Sequence, residues 1–379
     1  MTRLIAVDFP ASDRLRAEVE VAWESGHAVL PLDQRMNPAI RRKLAVSLGA
    51  NELVSEHGTE ILESPDVELV ALRDGDALVI ATSGSTGAPK GVVHTHDGIA
   101  AHARMVTERL ALSAADHWWL CLPTAHIGGF GVLSRAIRLG SRISFANHVD
   151  DATLTEALAR GASHTSVVPT LLARHSFADW KLVLVGAARS EVLPSNAIST
   201  YGLTETCGGV VYNGTALRDV DIRLTNGRVY LRTPSMARTY RHAAMPLVEG
   251  WLDTGDVGTL NGDQRNGTLD SGILRIEGRS DDLIITGGNK VWPHIVEQRL
   301  REHPLVAEVV VRGVPDPEWG TVVCAWIVPT TKDRPPTLDA LRSHVKETLA
   351  AYSAPRRISL VESIPRSALG KPLMSELIR

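Results

Sequence analysis

Residues 77–91 read Ala-Leu-Val-Ile-Ala-Thr-Ser-Gly-Ser-Thr-Gly-Ala-Pro-Lys-Gly, and this stretch decides the fold. The apolar run Ala77–Ala81 reads as a buried strand bounded by turn signals. It empties into Thr82, Ser83, Gly84, Ser85, Thr86 and Gly87, and Lys90 follows. Glycines let backbone approach an anion closely, while the hydroxyls and Lys90 supply donors and positive charge. A strand that opens into such a loop suits phosphate binding. A Walker A loop needs Gly-x4-Gly-Lys-Ser/Thr, whereas here Lys90 stands three residues after Gly87, behind Pro89. The plain alternative for this stretch alone is a Gly/Ser surface loop.

Outward from it, short Val/Ile/Leu-rich runs alternate with longer segments of helical spacing, the α/β pattern. Strands are expected near Trp118–Leu122, Arg142–Ala146, Thr165–Val168 and Lys181–Val185. A more β-rich region follows, with Arg228–Leu231 and Ile273–Ile276 among glycines and asparagines. Trp251–Val257 reads as an acidic turn. The last hundred residues look like a small α+β module: a helix at Ile295–Glu302, strands at Ala307–Arg312 and Val322–Val328, and a helix face at Leu338, Leu341, Val345 and Leu349. The expected organisation is a large α/β domain over residues 1–280, with αβ layers and a β-rich subdomain. A small mobile α+β domain would follow over 281–379.

The chain has 379 residues, 44% hydrophobic and 22% charged, enough for two or three domains with sizeable cores. A net charge of −3 gives no reason to expect nucleic acid or an anionic membrane as partner. No apolar run is long enough to span a bilayer, and the N-terminus has no secretory h-region. Cys121, Cys207 and Cys324 are scattered, without metal spacing or a disulfide framework. A reduced cytoplasmic enzyme or binding protein, with room for a homo-oligomer, is the expectation.

Four further segments accompany the opening motif: Tyr201-Gly-Leu-Thr-Glu-Thr206, Trp251-Leu-Asp-Thr-Gly-Asp-Val257, Gly278-Arg-Ser-Asp-Asp-Leu-Ile-Ile-Thr-Gly-Gly288 and Ile364-Pro-Arg-Ser-Ala-Leu-Gly-Lys371. Taken singly, Glu205 reads as a solvated carboxylate, Asp256 as a turn residue and Lys371 as a surface lysine near a frayed end. Five segments in a fixed order are harder to dismiss. In that order and spacing they resemble the adenylate-forming superfamily of acyl-CoA synthetases, adenylation domains and luciferases, from about residue 76 onward.

The resemblance implies ATP, Mg²⁺ and an acceptor. It implies the β- and γ-phosphates on Ser83 to Lys90, the α-phosphate on Thr204, and Mg²⁺ on Glu205, a hard cation held by one carboxylate and substrate phosphates. Asp256 and Arg279 would hold the ribose. Gly186, Ala187 and Ala188 would flank the adenine with Tyr201 and Gly202. Lys371 would reach the α-phosphate and the attacking carboxylate. Asp281 matches the family's hinge, and the loop through Gly287 and Gly288 would line a pantetheine channel.

No carrier module follows Lys371, so coenzyme A is the expected acceptor. The segment Trp118–Phe130, with Ser166–Thr170 and Tyr201–Gly209, is similar to the 2-succinylbenzoate–CoA ligases of menaquinone biosynthesis, especially their short forms. His126 stands where that family places an acyl-pocket residue, with a core histidine as the plain alternative. Arg135 and Arg138 follow on a helical stretch. Either could pair with a substrate carboxylate, but solvated helix arginines are the first reading for both. About 76 residues precede the phosphate-loop strand, fewer than in most of the superfamily, which puts the N-terminal subdomain in question. Thr239 replaces the usual glycine in Met236–Tyr240 and reads as harmless. Three other functions compete: a ligase for another aryl or acyl acid, a P-loop kinase or NTPase, and a non-catalytic nucleotide-binding protein. The misplaced Lys90 argues against the kinase, and Glu205 together with Lys371 against the non-catalytic protein.

Overall fold

The computed structural model describes residues 2–83, 89–186, 193–265, 268–365 and Leu377. The chain divides into two compact units, one of residues 1–254 with 259–275, the other of 255–258 with 276–379.

The first unit holds two large mixed sheets. In the first, the strand order is Thr239–Tyr240, Pro89–Thr95, Asp76–Ser83, Ala28–Pro31, Leu4–Asp8, Glu52–Ser55, Gly58–Ile61. Leu4–Asp8 runs parallel to both Ala28–Pro31 and Glu52–Ser55, with helices Asp13–Glu24 and Pro38–Ser47 in the connections. The residues before the phosphate-loop strand therefore build a wound β-α-β-α-β unit, which answers the question raised by their small number. Leu4, Ala6, Ala28 and Leu30 are fully buried, as continuous apolar parallel strands should be. Trp23 ties this unit to the phosphate-loop strand, its indole donating to the Ala77 carbonyl at 2.8 Å.

The second sheet runs Thr215–Ala216, Gly208–Tyr212, Ala197–Leu203, Leu182–Gly186, His164–Val167, His117–Leu120, Arg142–Phe145. The last five are mutually parallel, and Gly208–Tyr212 returns antiparallel. The strands expected near 77, 118, 142, 165 and 181 are all present. Helix His96–Leu110 packs against strands of both sheets and against helix Ile127–Leu139. Its start is set by Thr95, whose hydroxyl accepts the Gly98 N–H at 3.1 Å. Helix Ile127–Leu139 turns in tightly after Pro123. A Cβ at Gly129 would collide with the Pro123 carbonyl oxygen, so only glycine fits.

A third sheet, Arg228–Arg232, Asp221–Thr225, Thr268–Arg279, Trp251–Arg265, Leu247–Val248, closes through a further pairing of its first and fourth strands. Trp251–Val257 lies within the fourth of these. The acidic turn expected there is a strand, because Trp251 and Leu252 at 6% and 2% exposure anchor its start.

In the second unit, Val306–Asp316 pairs antiparallel with Gly320–Pro329, which pairs parallel with Arg357–Leu360. Helices Pro293–Arg301 and Leu338–Lys346 bury Val296, Leu300, Leu341 and Val345 against Val309, Val311, Ala325 and Ile327. This is the expected α+β module.

Candidate functional site

Phosphate-loop strand Asp76–Ser83 pairs antiparallel with Pro89–Thr95, placing Thr82 opposite Lys90. The next strand outward, Thr239–Tyr240, pairs with Val92 and Val93. That register sets Tyr240 beside Lys90, whose Nζ lies 5.3 Å from the phenol ring centre. The Tyr240 hydroxyl donates to Glu205 Oε1 at 2.8 Å. Burial, then the Glu205 carboxylate, push the phenol up, so it remains a protonated donor at neutral pH.

Glu205 is presented by a tight turn. Strand Ala197–Leu203 ends and Thr204–Thr206 forms one 3₁₀ turn. A Cβ on Gly202 would collide with the Gly208 carbonyl oxygen, which explains the glycine after Tyr201. The Thr206 hydroxyl accepts the Leu203 N–H at 2.8 Å and donates to the Gly208 carbonyl at 2.8 Å. From the other side, Ser235 Oγ donates to the Thr206 carbonyl at 2.9 Å, and the Ala237 N–H to the Glu205 carbonyl at 2.7 Å. Arg238 is locked in turn by Asp76, at 2.7 and 2.5 Å. One segment, 233–240, thus braces both the acidic turn and the phosphate-loop strand. Thr239, buried at 5% exposure, donates to the Ala243 carbonyl at 2.9 Å.

Behind this layer two histidines are buried. Burial pushes His94 down to about 4 and His102 down to about 3, the backbone near Thr204 and Gly209 offsetting part of the shift. His102 Nε2 lies 2.9 Å from the Gly209 carbonyl, so it carries the proton.

His126 precedes helix Ile127–Leu139 without capping it through its side chain. It meets the loop after Ala28–Pro31: Arg35 Nη2 stands 2.9 Å and Asp33 Oδ2 3.4 Å from His126 Nε2. The side chain is therefore no core histidine. Nine residues on in the same helix, Arg135 corrects the solvated reading. It is 5% exposed, lies over the Trp118 ring at 5.0 Å, and its Nε has no partner among the described residues. Burial pushes its guanidinium below the usual arginine range. Arg138 is exposed as read, donating to the His96 carbonyl at 3.0 Å.

In the second unit Arg279 Nη1 donates to Asp256 Oδ1 at 3.4 Å, and Asp256 is 7% exposed. Asp281 is exposed on the single 3₁₀ turn Ser280–Asp282. Gly287 and Gly288 adopt φ of +53° and +81° between strands Ile284–Thr286 and Asn289–Val291, a conformation that favours glycine. Gly186 ends strand Leu182–Gly186. Gly84, Ser85, Thr86, Gly87, Ala187, Ala188 and Lys371 lie outside the described residues.

Among the described residues no three His, Cys, Asp or Glu side chains converge as a metal cage. Glu205, oriented by Tyr240, offers oxygen alone. That fits Mg²⁺ arriving with nucleotide phosphates rather than a preformed all-protein site. The sequence reading missed Tyr240, Asp33 and Arg35 as site residues. Tyr240 closes a segment already singled out. Nothing in the local sequence around Asp33 points toward His126, 93 positions on.

The AMP-binding enzyme family matches residues 28–238, and the AMP-binding enzyme C-terminal domain matches residues 295–371. A protein of Mycobacterium tuberculosis (strain CDC 1551 / Oshkosh), described as a probable 2-succinylbenzoate–CoA ligase, is 36% identical over 343 residues, 82% of this chain and 88% of its own length. The 2-succinylbenzoate–CoA ligase of Listeria monocytogenes serotype 4b (strain F2365) is 32% identical over 366 residues, 85% of this chain and 76% of its own. In fold the chain resembles o-succinylbenzoate CoA synthetase (MenE) from Bacillus subtilis, solved with the acyl-adenylate OSB-AMP. The TM-score is 0.84 at 24% identity, over 100% of this chain and 88% of that one. With more than half its length matched, this chain belongs to the AMP-binding enzyme family.

Proposed function

We propose that this protein is an AMP-forming acid–thiol ligase that joins 2-succinylbenzoate to coenzyme A in menaquinone biosynthesis. An oxygen of the succinyl carboxylate attacks the α-phosphorus of ATP, and the bond to the pyrophosphate oxygen breaks. The coenzyme A sulfur, having lost its proton, then attacks the acyl carbon and AMP leaves. The products are 2-succinylbenzoyl-CoA, AMP and pyrophosphate.

The first transition state is anionic, so catalysis is mostly positioning and electrostatics. Thr82, Ser83 and Lys90 serve the outer phosphates, with residues 84–87. Thr204 serves the α-phosphate. Glu205 would hold Mg²⁺, which when bound neutralises phosphate charge. Asp256 and Arg279 serve the ribose, with Tyr201 and Gly202 beside the adenine. Lys371 supplies a mobile point charge to the reacting carboxylate and phosphate. The working domains in this reading are 1–280 and 281–379, with Asp281 as hinge and Gly287–Gly288 beside the thiol's path. Three cysteines without a disulfide suit the cytoplasm.

The single observation that carries the reading is the Glu205–Tyr240–Lys90 group: an oriented carboxylate and a lysine beside the phosphate-loop strands. The kin described as 2-succinylbenzoate–CoA ligases direct it to this acid. The test is nucleotide product analysis. AMP and pyrophosphate should form only with the acid present, and ADP as product would end the proposal.

A further inference from the structure

Asp33 and Arg35 form a built support for one face of His126. Arg35 Nη2 carries two hydrogens. One goes to Asp33 Oδ2 at 2.6 Å and the other to His126 Nε2 at 2.9 Å. Arg35 Nε holds the second carboxylate oxygen at 2.9 Å. Asp33 is 5% exposed. Burial raises its carboxyl, but the hydrogen bonds and the charge of Arg35 outweigh this and hold it well below the usual range. A fixed carboxylate therefore fixes the guanidinium, which meets the imidazole.

A guanidinium only donates. The nitrogen facing it must offer a lone pair, which leaves the imidazole proton on Nδ1. Asp33 alone would favour the reverse, since its Oδ2 faces the same Nε2. It stands at 3.4 Å, however, while Arg35 is at hydrogen-bond distance. Among the described residues no hydrogen bond reaches Nδ1, and the side chain is 37% exposed. An oxo diacid is rich in acceptor oxygens and carries no N–H of its own. A pocket for it must supply donors, and the other tautomer would turn a lone pair toward it.

We propose that Asp33 and Arg35 are positioning residues that hold His126 in its Nδ1–H tautomer, so that Nδ1–H donates to an oxygen of the acyl substrate. This rests on the acid–thiol ligase reading. The first test is spectroscopic. In protein carrying ¹⁵N-histidine, with His126 assigned by its loss in His126→Ala, Nδ1 should resonate as protonated and Nε2 as unprotonated. In Arg35→Ala the Nε2 signal should move toward the protonated range. An Nε2–H tautomer in the native protein overturns the proposal whatever acid is used.

The second test is kinetic. Arg35→Ala should raise KM for the acid about tenfold, the loss of one hydrogen bond to substrate, and leave KM for ATP within about twofold. Combined with His126→Ala it should add nothing, because it acts through that ring. Additive losses, or equal changes in both KM values, overturn it. If 2-succinylbenzoate is not a substrate but another acid is, the function assignment has failed. The tautomer and the cycle, run with that acid, still decide this inference.

Discussion

Replacing Arg135 by methionine should make the protein more stable and a worse enzyme. Arg135 is 5% exposed, and among the described residues it makes no ion pair. Its compensation is the Trp118 face at 5.0 Å, worth about 0.5–2 kcal/mol. Buried charges replaced by apolar groups of similar volume commonly stabilise by about 1–4 kcal/mol. Set against the lost ring contact, Arg135→Met should gain about 1 kcal/mol, or roughly 2 °C in Tm. A charge kept at that cost implies a ligand. The ring carboxylate of 2-succinylbenzoate must be bound while staying ionised, and one charge-assisted hydrogen bond is worth about 1.5–3 kcal/mol. We therefore expect kcat/KM for 2-succinylbenzoate to fall roughly tenfold to a hundredfold. An analogue lacking the ring carboxylate should be nearly indifferent to the substitution. Scanning fluorimetry and steady-state kinetics on the two acids test both halves. A Tm lowered by several degrees with unchanged kcat/KM would make Arg135 a structural residue and refute the reasoning. The exposed Arg138 should tolerate alanine.

Tyr240→Phe removes the donor that orients Glu205, so the Mg²⁺ needed for half-maximal rate should rise about tenfold, and Mn²⁺–ATP binding followed by electron paramagnetic resonance should weaken in parallel. Unchanged metal dependence in both would place the cation elsewhere. Lys371→Ala should lose about 3 kcal/mol or more in the adenylation step while still converting supplied acyl-adenylate and coenzyme A to thioester. Normal adenylation with failed thioester formation would reverse the assigned role. Acid should unfold the protein through its buried histidines. The folded value of His102 is about 3, below the unfolded value near 6.5, so the unfolded chain binds more protons as pH falls. The stability contributed is complete above pH 6.5 and is lost from there down toward pH 3. His102→Gln keeps a donor for the Gly209 carbonyl and should flatten denaturant midpoints between pH 6 and 4 by about one proton. An unchanged slope would move the acid sensitivity to other groups.

Elements with strong apolar runs were legible in the sequence because burial on both faces leaves no alternation to confuse. Leu78, Val79 and Ile80, at 1% exposure or less, are such a run. The glycine of Tyr201-Gly202 was legible because no side chain fits against the Gly208 carbonyl there. The environment of Arg135 was not. Helical spacing gives its face, but not that Trp118 and the returning strand Gly208–Tyr212 close over it. Asp256 was misplaced in a turn because Asp-Thr-Gly-Asp is turn-like in composition, while pairing within a long strand is a tertiary effect. The Asp33–Arg35–His126 contact joins segments of two different layers, and no local pattern encodes which loop meets which helix start.

The central claim is most directly tested by thioester formation across an acid panel. Purified protein is given ATP, Mg²⁺ and coenzyme A with 2-succinylbenzoate, benzoate or a medium-chain fatty acid, and acyl-CoA and AMP are measured together. The account predicts 2-succinylbenzoyl-CoA and AMP in equal amounts, with kcat/KM for this acid above the others by at least about tenfold. Benzoate or the fatty acid matching it would contradict the substrate assignment, and ADP in place of AMP would contradict the chemistry itself.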